Sequence, residues 1–171
     1  MSDQNAIEFL DFCRNFDHAM LVTHSQVGMI ARPMMIAEVD SLGNFWFATD
    51  VTSGKVEDIN NNPDVCITMT GSPGDATVRG KATVIRDMSR IKSLWSETWR
   101  VWFPDGPTDA KLVLIKLDAV EGECWSTSGI QGWKYLFTMA KSYIRGTRPK
   151  EDELPCVGSD SGFGIEKSTV G

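Results

Sequence analysis

The chain has 171 residues, 42% of them apolar and 23% charged, which is ordinary usage for a soluble domain and enough for one core. No apolar run reaches the roughly 20 residues that a membrane-crossing helix needs, and the start MSDQNAIEFLDFC sets acids ahead of its apolar residues, the reverse of a secretory signal, so a cytoplasmic protein with no membrane contact is expected. The net charge of −6 argues against nucleic-acid binding, and any anionic ligand needs a local cationic cluster to overcome the global field.

Residues 3–16 are predicted to be helical, since Ile7, Leu10, Cys13 and Phe16 recur at a helical interval. HAMLVTH, 18–24, reads as a buried strand, and MIARPMMIAEV, 29–39, as a second. Pro33 lies inside the latter and cannot donate to a ladder, which demands an edge or a bulge there. DSLGN, 40–44, signals a turn, and FWFAT, 45–49, a third strand. Residues 53–62 follow as a helix with Thr52 or Ser53 as N-cap, Val56 and Ile59 on one face, and Pro63 as its stop.

VCITMT, 65–70, is a strand, and ATVRGKATVIR, 76–86, a longer one with a bulge expected at Gly80. Residues 87–99 look helical, and 102–109, WFPDGPTD, look like a loop. KLVLIKL, 111–117, and EGECWS, 121–126, are the last predicted strands. A helix over 130–144 and a polar tail over 145–171 complete the chain. The sum is about six strands with short links and no alternation with helices, so a small antiparallel barrel or sandwich in one domain fits better than a parallel nucleotide-binding sheet.

The chemistry is sparse. Cys13, Cys66, Cys124 and Cys156 form no C-x-x-C pair, so reduced structural thiols are expected and no metal site. His18 and His24 flank a strand, and no G-x-S-x-G elbow supports a hydrolytic serine. The stretch FWFATDVTSGK, 45–55, is more informative. A strand running into a helix there presents the hydroxyls of Thr49, Thr52 and Ser53, free helix amides and Lys55, a set that suits a phosphate. A capped surface helix with a solvated lysine is the plainer alternative, and the P-loop spacing is absent.

Arg32 shares a strand face with Ile30, Met34 and Ile36, and a cation in that setting requires an anion. A carboxylate of the same chain and a ligand phosphate both answer the requirement. Trp95, Trp99 and Trp102 are spaced to share a helical face, which favours core or subunit contact. Trp125, near a strand end, is placed to stack on an aromatic ligand or to pack in the core.

ARPMM (31–35), LGNFWFATDVTSGKVEDINNNPDV (42–65) and VRGKATVIRD (78–87), in that order, resemble the pyridoxamine 5′-phosphate oxidase-like superfamily of FMN-binding split barrels. WFPDG (102–106), LVLIKL (112–117) and GECWS (122–126) bring the chain nearer to its general stress protein subgroup. The resemblance covers roughly residues 5–145. It implies a mainly β fold, a six-stranded antiparallel split barrel with flanking helices over residues 1–145; the tail at 146–171, rich in Gly, Ser and charged residues, is expected to wrap the surface or to be partly disordered. It further implies a homodimer with FMN between the subunits. Carried over residue by residue, the flavin-binding set is Arg32, Pro33, Met34, Met35, Ala48, Thr49, Ser53 and Lys55, with Trp125 approaching from the same or the partner subunit.

Gly54 stands where vitamin B6 oxidases carry an arginine, Ala37 where they carry a lysine, and no Arg-x-His motif follows residue 145. These departures argue against pyridoxamine phosphate oxidation and leave the flavin site intact. The expectation is a flavin-dependent oxidoreductase of unidentified substrate. A non-catalytic flavin carrier or stress sensor, or a split barrel holding haem or the deazaflavin F420, are the alternatives. No side chain stands out as an acid or base, so no catalytic residue is assigned.

Overall fold

The computed structural model describes residues 2–72 and 74–126. The predicted helix over 130–144 and the tail beyond it lie outside the described residues. Helix α1 (Ser2–Cys13) precedes strands β1 (His18–Ser25), β2 (Gly28–Met35), β3 (Glu38–Val39) and β4 (Asn44–Asp50). Helix α2 (Gly54–Asn61), β5 (Asp64–Gly71), β6 (Gly74–Ile85), helix α3 (Met88–Leu94), two 3₁₀ turns (Glu97–Val101 and Gly106–Thr108) and β7 (Leu112–Ser126) follow.

All seven strands form one antiparallel sheet in the order β2-β1-β5-β6-β7-β4-β3. β2 and β3 stand at opposite edges yet are joined by Ile36 and Ala37 alone. A two-residue link can bridge two edges only if the sheet rolls until they meet. Ile36 N–H donates to the Asp17 carbonyl at 2.9 Å, and Ala37 N–H to the Trp46 carbonyl on β4 at 2.8 Å. The result is a rolled barrel that no ladder closes, split between β2 and β4.

Four expectations are corrected in detail within a fold class that holds. Seven strands stand among the described residues where about six were expected, and the predicted strand over 29–39 leaves the β1 ladder after Met35 and re-forms as β3 on β4. The two final strands are one strand of fifteen residues. The predicted helix over 87–99 stops at Leu94: Trp95 is extended (ψ 130°), and Ser96 caps a new 3₁₀ turn through the Thr98 N–H. Over residues 7–13 of α1 the buried residues are Phe9, Leu10 and Cys13, whereas Ile7 is 53% exposed.

Other readings stand. Pro33 lies on an edge strand, where its missing donor costs no ladder bond. The register between β6 and β7 shifts between Arg79 and Gly80, leaving Val120 as the extra residue. A side chain at Gly80 would collide with the Asp118 carbonyl, so the bulge and the glycine require each other.

The barrel interior holds Leu21, Phe45, Phe47, Ile67, Val78, Ile115 and Leu117, all fully buried. Burying such side chains contributes roughly 1.5–3 kcal/mol each, which makes this interior the main source of stability. A second apolar cluster sits on the outer face of β4 and β7, where Trp46, Leu112 and Leu114 pack against Ile91, Trp99 and Phe103. The alternation along β4 sends Phe45, Phe47 and Thr49 one way and Trp46, Ala48 and Asp50 the other. The split and this outer cluster together frame the site.

Candidate cofactor site

A cleft of about 380 Å³ opens at the split. Pro33, Met34 and Met35 of β2 form one wall, and Ala48, Thr49 and Asp50 of β4 form the floor. Ser53 and Lys55 at the start of α2 close one end, and Trp99, Trp102 and Phe103 close the other. The small Ala48 side chain leaves room over β4 that a larger residue would fill.

The polar end is built by the loop between β4 and α2. The Asp50 carboxylate accepts from the Thr52 amide and hydroxyl, both at 2.7 Å, and these bonds hold its pKa below the ordinary aspartate value. The Ser53 amide donates to the Asp50 carbonyl at 3.0 Å, and the Val51 amide to the Lys111 carbonyl at 2.8 Å. The loop is thus fixed at both ends of its turn. Ser53 takes the N-cap position of α2, yet its hydroxyl makes no capping bond and instead lies 3.2 Å from the Thr49 hydroxyl. The Val56 amide donates to the Ser53 carbonyl at 2.9 Å, which leaves the Gly54 and Lys55 amides as the first-turn donors of α2.

Lys55 Nζ donates to the Thr49 hydroxyl at 3.1 Å. Among the described residues it has no ion pair. Burial, then the nearby Arg32 charge, push its pKa below the ordinary lysine value, against a smaller opposing effect of Asp50. Thr49, Ser53 and Lys55 therefore converge on one point with two hydroxyls, one ammonium and a helix N-terminus, all with hydrogen-bonding capacity to spare.

Arg32 and Trp125 stand outside the cleft lining. The Arg32 guanidinium donates to Asp58 at 2.9 Å and to the Thr23 hydroxyl at 2.7 Å, and that hydroxyl donates to Asp58 at 2.8 Å. Thr23 is fully buried and Asp58 nearly so. The carboxylate partner considered for Arg32 is thus real. The other arm of the guanidinium, Nη2, lies 3.7 Å from where a side chain at Gly54 would begin, which sets Arg32 behind the start of α2. Trp125 sits on β7 twelve residues beyond Val113, the partner of Thr49, or ~40 Å of extended strand away.

The sequence reading took Trp95, Trp99 and Trp102 as core or subunit contacts, and the structure divides them. Trp95 and Trp99 pack edge to face at 5.8 Å, whereas Trp102 is 63% exposed at the mouth of the cleft. The signal that could have marked Trp102 is its position before Phe-Pro-Asp-Gly, a turn sequence that ends the 3₁₀ segment and turns the ring outward.

Residues 4–150 match the family described as pyridoxamine 5′-phosphate oxidase like. No curated protein matches the chain. Among solved structures, the general stress FMN/FAD binding protein from the phytopathogen Xanthomonas citri is 26% identical, with a TM-score of 0.63 over 78% of this chain and 97% of that one. A Clostridium acetobutylicum protein related to general stress protein 26 of B. subtilis (pyridoxinephosphate oxidase family) is 20% identical, with a TM-score of 0.63 over 78% of this chain and 96% of that one. General stress protein 26 from Bacillus anthracis is 23% identical, with a TM-score of 0.63 over 70% of this chain and 92% of that one. The last two show a shared fold.

Proposed function

Because the chain belongs to the pyridoxamine 5′-phosphate oxidase like family, we propose that its cleft holds FMN, with the phosphate at the start of α2 and the ring system over Ala48 between β2 and the aromatic end. The observation that carries this reading is Lys55, a half-buried ammonium beside a second cation and with no carboxylate paired to it among the described residues. Such a charge is unfavourable unless an anion arrives, and a phosphate monoester brings roughly −1.5 to −2. The uncapped Ser53 hydroxyl and the α2 amides supply further donors. Pro33, Met34 and Met35 present an edge strand, whose backbone groups are free to bond the ring. Arg32 acts from behind α2, adding positive potential.

FMN supplies redox chemistry when bound, and the protein supplies position and electrostatics. The protein is read as a flavin-dependent oxidoreductase of the general stress type. Among the described residues Asp50 and Lys55 are the only titratable side chains that line the cleft; Asp50 is bonded to Thr52 and Lys55 is committed to the phosphate, which leaves neither free as an acid or base. That observation favours a second reading, a flavin store or sensor without turnover. Steady oxidation of NADH or NADPH by the purified protein and an acceptor would exclude it. His18 and His24 lie on β1 and neither lines this cleft, so nothing here favours haem in it.

The protein is taken to act as a homodimer in the cytoplasm, where the free Cys13, Cys66 and Cys124 stay reduced. On the outer barrel face the half-buried Val22 and the exposed Met29 and Val120 come together beside His24 and Cys66, ringed by Asp64, Arg79, Lys81 and Glu121, a mixed apolar and charged surface suited to a second subunit. Trp125 then meets the flavin from the partner side.

The test is the absorbance spectrum and the mass of any released ligand, followed by Lys55→Ala. Loss of one charge-assisted contact lowers FMN affinity by about 10- to 100-fold. Riboflavin, which lacks the phosphate, changes by less than about threefold. Equal weakening of both ligands sinks the assignment.

A further inference from the structure

We propose that the aromatic end of the cleft is a subsite for a planar aromatic molecule bearing no negative charge, with the Trp102 indole as its stacking face. The inference rests on the FMN reading above and names what that site accepts beside the flavin.

Trp102 is exposed between two buried anchors, Trp99 at 6% and Phe103 at 5%. The Trp102 and Phe103 amides both donate to the Trp99 carbonyl at 2.9 Å. The Arg100 guanidinium ties the same turn to Glu97 at 2.8 Å and to the Pro104 carbonyl at 3.3 Å. The indole is therefore held open by a fixed frame, at the cost of leaving a large apolar face in water.

The charges around the cleft decide the class of ligand. Among the described residues Lys55 and Asp50 are the only charged side chains lining it. With Lys55 committed to the cofactor phosphate, Asp50 is what a second ligand meets, and it is held ionised by Thr52. A phosphorylated or carboxylated molecule would face two anions with no cation left in the described lining, since Lys111, which acts on Asp50, lies outside it. An indole face is electron-rich and attracts electron-poor or cationic rings. Neutral quinone-like rings and N-alkylated heteroaromatic cations fit both constraints, whereas a pyridoxal-type phosphate fits neither.

The test is calorimetric titration of FMN-loaded protein with menadione, 1-methylnicotinamide and pyridoxal 5′-phosphate. The neutral ring and the cation bind at least about tenfold more tightly than the phosphate. Trp102→Ala weakens both by about tenfold, and Trp102→Phe, which keeps a ring, by less than about threefold. FMN content and the mass in solution are read alongside for each variant. Tighter binding of the phosphate, no binding of either other probe, or indifference to Trp102→Ala overturns the proposal. So does loss of FMN or a change of mass in Trp102→Ala, which would make the indole part of the cofactor wall or of a protein contact. Protein that cannot be loaded with FMN overturns the flavin reading and this one together; every other failure overturns this one alone.

Discussion

Lys55 carries a pH signature. In the free protein its pKa is held below 10.5, by burial first and by Arg32 second. A bound phosphate favours the charged form and raises it again. FMN affinity is therefore full below the free Lys55 pKa and is lost as pH climbs through the window between the free and bound values, a window that opens below the ordinary lysine range. Fluorescence titrations with FMN and riboflavin across this range check it, since riboflavin shares the ring and controls for its own titration. A fall for FMN alone, absent in Lys55→Gln, is the expected result. Gly54 offers the opposite test. Its backbone has no positive φ and a side chain there meets only Arg32 Nη2 at 3.7 Å, so the position accepts a larger residue without strain. Gly54→Arg adds a third cation beside the phosphate, and FMN binding tightens by about tenfold with riboflavin unchanged. Thr49, Ser53 and Lys55 were legible because a strand, a hydroxyl loop and a lysine stand within seven residues. The Arg32 partner was not, because Asp58 lies 26 residues away and meets it only through the packing of α2 on the barrel.

Helix α2 is positioned by a polar clasp. Asp58 stands one turn beyond Gly54, so fixing Asp58 against Thr23 of β1 and Arg32 of β2 also fixes the helix start where the hydroxyls converge. Asp58→Ala leaves the Arg32 guanidinium and the buried Thr23 hydroxyl without their acceptor, which costs about 2–3 kcal/mol. Asp58→Asn keeps an acceptor and costs about half as much. Chemical denaturation measures both, and FMN affinity falls in the same order because the helix start loosens with the clasp. An alanine variant as stable as the parent would show that the clasp does not hold α2. At this scale the sequence was read best where one residue type decides locally, as with the bulge at Gly80 and the edge strand at Pro33. It was read worst where two local preferences compete. Residues 87–99 have a helical pattern, yet Ser96 bonds the Thr98 amide and starts a tighter turn. Residues 29–39 have strand character throughout, and the break after Met35 is imposed by the distant Asp17 and Trp46 carbonyls.

The barrel as a whole was legible as a class, since short strands without alternating helices leave few architectures. Its split was legible only through the family resemblance and not in the strand pattern, because it arises from pairing β4 with β7 across more than 60 residues and then returning β3 to the same edge. That split sets the last prediction. The cleft at β4 is lined by one chain, while Trp125 of that chain lies at the far end of β7. A flavin that also meets Trp125 must lie between two subunits, and FMN then binds the dimer better than the monomer. By linkage, whatever factor FMN adds to dimer stability the dimer returns to FMN affinity. Dilution of FMN-loaded protein is expected to release flavin, seen as a rise in its fluorescence, over the same concentrations at which light scattering or mass photometry shows the dimer dissociating. Excess FMN moves that transition to lower protein concentration. Trp125→Ala weakens FMN binding to the dimer and narrows this shift. FMN affinity independent of protein concentration would place the whole flavin within one subunit and remove Trp125 from the site.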